Sequence, residues 1–518
     1  MVVSHLFRST IAALMVLASV PAFADFVVNT DNDADNDSDG VCSLREAITA
    51  VNNQVNYHEC TSANSGESSV SFAIPPAAGE THVIALTSAL PPITHLISID
   101  ATVQNGAACT AIPNLRVQIT NPSLLAIDGL TFGFGSDFSS VSGLAISGFS
   151  TNQKAGFLIL SNDVGVGCSI AGTNASGTIA DPNYYGIYIN GQSATIGMAS
   201  STQWSPNLIS ANTKANIYVD AGGADTVISG NYIGVDASGV TPMPSAFGIY
   251  ANGVAGLQIG DPGGDGPPEH RRNIIGISSS PSATSVNVEF VNSIDNTLAG
   301  NYIGVAGDGQ TTIPIGSGIA VSVFQATRTV IGCDGNTAAD NCRNLVANTT
   351  GIGIQNFEGS QNTALVGNFI GVAADGMTGF TGNANAVGID MLGADMLVAR
   401  NYITTGGLGV GIRLGPDSNE QTPVFLNQTM VGSSGATLDS SDNCVQGNAA
   451  GGVAVNIASN PTVISTDFVG NWWGAVDGPA PNGSGDSAAN NVNYAPFLTA
   501  PSPYCSVNPD SIFANGFD

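Results

Sequence analysis

The sequence predicts an all-β chain wound as a single-stranded parallel β-helix, a solenoid with a small N-terminal loop-helix cap. Three observations predict it. Turn formers are abundant and charge is scarce: 64 Gly and 25 Pro among 518 residues, with 10% charged residues against about 25% in an average soluble domain. A block of about 70 residues recurs along the chain. Within each block, short runs such as Ala215-Asn216-Ile217-Tyr218-Val219 alternate as strands do.

The repeat has four marks. Asn231-Tyr232-Ile233-Gly234-Val235 returns at 301–305 and, with Phe369, at 368–372. Gly230, Gly300 and Gly367 precede these copies. A Gly-Ile pair stands at Gly248, Gly318 and Gly388, with an earlier copy at Gly186. An Ile-Gly pair and an Asn-aliphatic run complete the set, the latter at Asn207, Asn273 and Asn344. Asn207 to Asn231 and Asn344 to Asn368 each advance 24 residues, which predicts that a block holds three similar steps. One step of roughly 23 residues with three short strands is one turn. No single turn can bury its own apolar face, so many must stack. Residues 76–500 would give up to about 18 turns, a rod of roughly 70–90 Å. The corner asparagines are expected to bond their amides along the axis. Variable loops at 198–206, 261–271 and 333–343 lie between the Ile-Gly and Asn marks.

Composition also excludes functions. Eleven Lys and Arg stand against 39 Asp and Glu, a formal net charge of −28. Nucleic-acid binding needs a basic footprint, and anionic lipid would be repelled as well. Residues 1–24 read as a secretory signal peptide. Arg8 lies before the apolar run Ile11–Val20, and Ala22-Phe23-Ala24 is a small-x-small cleavage site. No later stretch is long and apolar enough to span a membrane, so the mature chain is expected to be secreted or at the cell surface. Eight cysteines fit an oxidising compartment. Nearest-neighbour pairing would join Cys42–Cys60, Cys109–Cys168, Cys333–Cys342 and Cys444–Cys505, among many possible connectivities. Cys333–Cys342 is the pair that position supports, because the two stand at the feet of one loop.

The Asn-Tyr-Ile-Gly marks resemble the right-handed parallel β-helix repeats of exported bacterial proteins. Asp236-Ala237-Ser238-Gly239 resembles the Asp-containing, Gly-ended corner of that family, although Ala306 and Ala373 replace Asp236 in later copies. Asn471-Trp472-Trp473-Gly474, with Gly478-Pro479 and Tyr494-Ala495-Pro496, resembles a segment that closes such helices, its rings capping the core. Cys42-Ser43-Leu44-Arg45-Glu46-Ala47 resembles the CSLREA domain that often precedes them. The resemblance implies a fold and an export route, not one activity. It divides the chain into a signal peptide (1–24), an N-terminal cap (25–75), the β-helix (76–500) and a tail (501–518).

The sharpest local motif is Asp35-Asn36-Asp37-Ser38-Asp39-Gly40 with Glu46 downstream. It satisfies the EF-hand calcium-loop pattern, with Asp35, Asp37, Asp39 and Glu46 as ligands. A competing reading makes Ser43 and Glu46 a capping box for a helix with the apolar stripe Leu44, Ala47, Ile48 and Val51. Tyr188, Tyr218 and Tyr250 recur after the Gly-Ile or Asn-Ile marks and could stack on sugar rings; ordinary solenoid packing is the other reading. For catalysis, Lys154 and Lys214 are the mature chain's lysines, Lys214 in an Asn-Thr-Lys-Ala-Asn corner that reads as solvated surface; Arg400 and Arg413 have no partner visible in sequence, and paired carboxylates cannot be placed from it. The expected function is surface or extracellular binding or adhesion to a polysaccharide or matrix component, by a monomer, with calcium as the possible cofactor. The alternative is a polysaccharide lyase or glycoside hydrolase working in a groove on one face.

Overall fold

The computed structural model describes residues 24–62, 68–75, 79–197, 205–260, 263, 267–276, 285–313, 318–333, 342–347, 351–357, 359–380, 386–392, 394–415, 430–431, 437–438, 441–455, 466–489 and 492–505. Residues 1–23 of the expected signal peptide (1–24) and most of the tail lie outside them. Three long sheets run the length of a right-handed parallel solenoid. The first has twelve strands, from Ala24–Val28 to Ala394–Ala399. The second has twelve, from His82–Ala85 to Cys444–Val445. The third has eleven, from Leu130–Phe132 to Gly451–Val455. Ala24–Val28 and Ser68–Phe72 pair in parallel as the first two strands of the first sheet, so the N-terminal segment shares that sheet with the rod. Among the described residues, no helix is long and apolar enough to cross a membrane.

Register explains the core. On the third sheet Phe157, Ile187, Ile217, Ile249, Val288 and Val321 fall opposite one another on successive strands, and all are buried. Matching columns of Ile, Val and Leu fill the other two walls. Each fully buried aliphatic side chain contributes about 1.5–3 kcal/mol, which a solitary turn could not collect.

The corner asparagines form the ladder expected of them. Asn207, Asn231, Asn273, Asn301, Asn344, Asn368, Asn401, Asn443 and Asn471 are all buried. Each of the first eight donates from Nδ2 to Oδ1 of the next, at 2.8–3.1 Å. The ladder also corrects the turn count. Its successive advances are 24, 42, 28, 43, 24, 33, 42 and 28 residues. The block from Asn231 to Asn301 therefore holds two turns, not three. The 24-residue advance is a bare turn. Longer turns carry excursions such as the hairpins closed by the bridges Val235–Pro242, Val305–Thr312 and Val372–Gly379. Excursions lengthen the chain without adding rise. Twelve strands in each of the two longer sheets make a rod of about 50 Å, shorter than the sequence-based length.

All four nearest-neighbour disulfides are present, with Cα separations of 4.9, 5.5, 5.0 and 5.4 Å. Trp473 is fully buried at the C-terminal end of the core, edge-on to Tyr494 with ring centroids 6.3 Å apart. Its neighbour Trp472 packs on the other side of the wall and donates its indole N–H to Gln446 at 2.8 Å.

Candidate functional site

At the N-terminal end, the capping box forms. Glu46 N–H donates to Ser43 Oγ at 3.2 Å and Ser43 N–H donates to Glu46 Oε2 at 2.9 Å. The helix Leu44–Asn53 buries Leu44, Ala47, Ile48 and Val51. Glu46 Oε1 accepts the Asn36 N–H at 2.9 Å and lies 3.1 Å from His58 Nδ1. Asp35 Oδ1 is 3.4 Å from the same nitrogen. Asp35, Glu46 and His58 thus present ligand atoms within 4.8 Å of one another. Asp39 instead accepts the Val41 N–H at 3.1 Å, and Asp37 accepts from Ser38 at 3.3 Å. A cation held by Asp35, Asp37, Asp39 and Glu46 together would require Glu46 to release backbone donors it now satisfies. The imidazole also brings a nitrogen where calcium takes oxygen.

The most extended constellation is on the outer side of the third sheet. Leu158, Tyr188, Tyr218, Tyr250, Glu289, Ser322, Gln355, Asp390 and Arg413 follow one another in unbroken strand register. From Tyr188 to Arg413 the row covers eight turns, about 34 Å. The strands place every second side chain outward, and parallel pairing aligns them across turns.

Its first part is aromatic. The Tyr188 and Tyr218 rings stack at 5.1 Å with planes 4° apart, and Tyr218 and Tyr250 stack at 5.1 Å and 26°. Tyr218 therefore has a neighbouring ring on each face, and what the row offers outward is ring edges and hydroxyls, not open faces. Tyr188 Oη donates to Asp220 at 2.6 Å, and Asn252 Nδ2 donates to the other Asp220 oxygen at 3.4 Å. Burial raises the pKa of all three phenols above the ordinary value and pushes that of Tyr185 beside them up to about 12. The hydroxyls stay protonated donors. Lys214, read from sequence as a solvated corner residue, lies over the Phe247 and Tyr250 rings at 4.5 and 5.6 Å.

The second part is polar. Ser322 Oγ donates to Glu289 Oε1 at 3.2 Å. Gln355 Nε2 donates to Asp390 Oδ2 at 2.8 Å. Arg413 grips Asp390 from the other side, Nε to Oδ1 at 2.8 Å and Nη2 to Oδ2 at 2.6 Å. The Asp390 side chain is fully buried, so its charge is held by Arg413 and Gln355. Burial raises the Glu289 pKa, opposed by the Ser322 hydrogen bond and by Lys214. Arg400, the other arginine singled out from sequence, lies elsewhere, over Tyr504 at 5.2 Å.

Glycoside hydrolysis needs two carboxyls about 5–9.5 Å apart. Glu289 and Asp390 are three strands apart in register, about 14 Å, and Asp220 turns toward Tyr188. A separate open cleft of about 370 Å³ near the C-terminal end is lined by Tyr402, Gln446 and Asp486, among others. Among the described residues Asp486 is its one carboxyl, and burial raises its pKa.

No protein-family profile matches the chain, and no curated protein does. Among solved structures, the Dettilon tailspike protein (gp208) is similar at a TM-score of 0.30 and 14% identity, over 76% of this chain and 66% of that one. The chain thus spans just under two thirds of the tailspike. The periplasmic alginate epimerase AlgG is similar at a TM-score of 0.33 and 10% identity, over 83% of this chain and 77% of that one. At such identity the likeness is one of fold alone.

Proposed function

We propose that this chain is an exported rod that binds an extended polysaccharide along the outer row of its third sheet, serving surface attachment or adhesion. One observation carries the reading: tyrosine hydroxyls, carboxyls, an amide and a guanidinium lie in one straight register over eight turns. A row about 34 Å long suits a linear polymer better than a compact ligand. The strand spacing is close to the advance of a pyranose ring along an extended chain. The ring edges and donors suit hydroxyl-rich surfaces, where several weak contacts add up. Four disulfides fit an extracytoplasmic setting. The separation of Glu289 and Asp390 supports binding over hydrolysis.

The test is affinity electrophoresis of the mature chain on a panel of soluble polysaccharides, with each assayed for new reducing ends and unsaturated products. Retardation without products is expected, and Tyr218→Ala is expected to weaken it at least fivefold. Product formation would instead establish the lyase or hydrolase reading.

A further inference from the structure

We infer that the polar half of the row is a subsite for an uncharged sugar ring bearing an O–H or N–H donor, so that the rod selects neutral polysaccharides over uronate polymers. This rests on the glycan-binding reading and names its ligand class.

Gln355 carries the argument. It is 6% exposed, and its Oε1 is buried with no hydrogen-bond partner. The amide orientation is fixed by its neighbour. Both Asp390 oxygens accept from the Arg413 guanidinium, so the Gln355 NH₂ must face Oδ2. The oxygen is left on the other side. There the adjacent rung is Ser322, whose proton is committed to Glu289. No donor in the row reaches Oε1. A buried acceptor left unmade is costly in a folded protein, and a ligand hydroxyl or acetamido N–H, directly or through one ordered water, supplies what is missing.

Charge selects the class. The Arg413 guanidinium makes two bonds to Asp390, and Lys214 offsets Glu289. The row's carboxyls therefore already use its cations. A uronate carboxylate would be desolvated beside Glu289 and Asp390 without a matching positive charge. A neutral ring meets no such opposition.

The experiment compares the mature chain with Gln355→Met, Gln355→Asn and Tyr218→Ala. The probes are a neutral β-glucan, a galactomannan, N-acetylglucosamine oligomers, polygalacturonate and alginate. The expected result is binding to at least one neutral probe and none to the two uronate polymers. Gln355→Met is expected to lose about tenfold in affinity with its melting temperature retained. Gln355→Asn, which withdraws the acceptor by one methylene while keeping the amide, provides the same reading if the Met variant does not fold. Tighter binding to uronates, or unchanged affinity in both Gln355 variants, would overturn the subsite while leaving glycan binding in place. Binding to none of the five probes would overturn both.

Discussion

At the scale of single residues, buried amides set the corners. Asn301 accepts two bonds from Asn273, through its backbone and side-chain nitrogens. It donates to Ile259 O, Ala299 O and Asn344 Oδ1. Asn301→Leu would orphan several of these groups at about 1–3 kcal/mol each. A loss of about 3–5 kcal/mol is expected by calorimetric or denaturant unfolding, and a loss below about 1 kcal/mol would remove the ladder as a stabilising device. His58 makes a second prediction. Its hydrogen bond to Glu46 raises the imidazole pKa above the ordinary value, Asp35 and Asp37 add to this, and burial opposes it. A raised folded pKa means that the stabilisation is fully present below the ordinary imidazole value of about 6.5 and fades as pH rises through the folded one. His58→Asn should lower the melting temperature at pH 5–6 (on the order of one unit below the ordinary value), and the difference should shrink at alkaline pH. A pH-independent difference would assign His58 a packing role only.

At the scale of elements, the disulfides divide into a local and a long-range kind. Cys333–Cys342 closes 9 residues and Cys444–Cys505 closes 61. Chain entropy alone assigns these roughly 3 and roughly 4 kcal/mol. The longer bridge also ties the closing segment to the last strand of the second sheet, since Cys444 pairs with Tyr402 in that ladder. Replacing Cys444 and Cys505 by Ser should therefore lower the melting temperature more than replacing Cys333 and Cys342, as scanning calorimetry would read. The local pair was legible in sequence because both cysteines flank one loop. The capping box was legible because Ser43 and Glu46 have the required spacing. The Arg413–Asp390 pair was not. The two residues are 23 apart and meet only because adjacent turns align Asp390 with Arg413.

At the scale of the whole molecule, the repeat unit between Asn207 and Asn368 is a pair of turns, one short and one long. Each unit contacts its neighbours, so stability is close to a sum over units and interfaces. Excising residues 231–300 would join Gly230 to Asn301, an equivalent corner. The product should remain folded and be shorter by about 10 Å, measurable by small-angle X-ray scattering. Excising only 231–253, one supposed third of a block, would misalign all three sheets and should abolish cooperative unfolding. The reverse pattern would restore the three-step division. The outer row belongs to this scale too. Tyr188, Tyr218 and Tyr250 could be picked out because they follow repeat marks. Gln355 and Asp390 follow Gly-Ile pairs in the same way, at Gly353-Ile354 and Gly388-Ile389, but Glu289 and Ser322 follow none, the residue types change along the row, and the chain spacing varies from turn to turn.

The sequence alone determined the winding, the aliphatic columns, the asparagine ladder and one staple, Cys333–Cys342, whose cysteines flank a loop. The first three recur at marked positions, and a repeated physical constraint leaves a repeated residue. Only the tertiary structure decided how many turns a block contains and which outward side chains form a row. Loops of unequal length conceal the rise per turn, and neighbours across a parallel ladder are set by backbone register instead of distance along the chain.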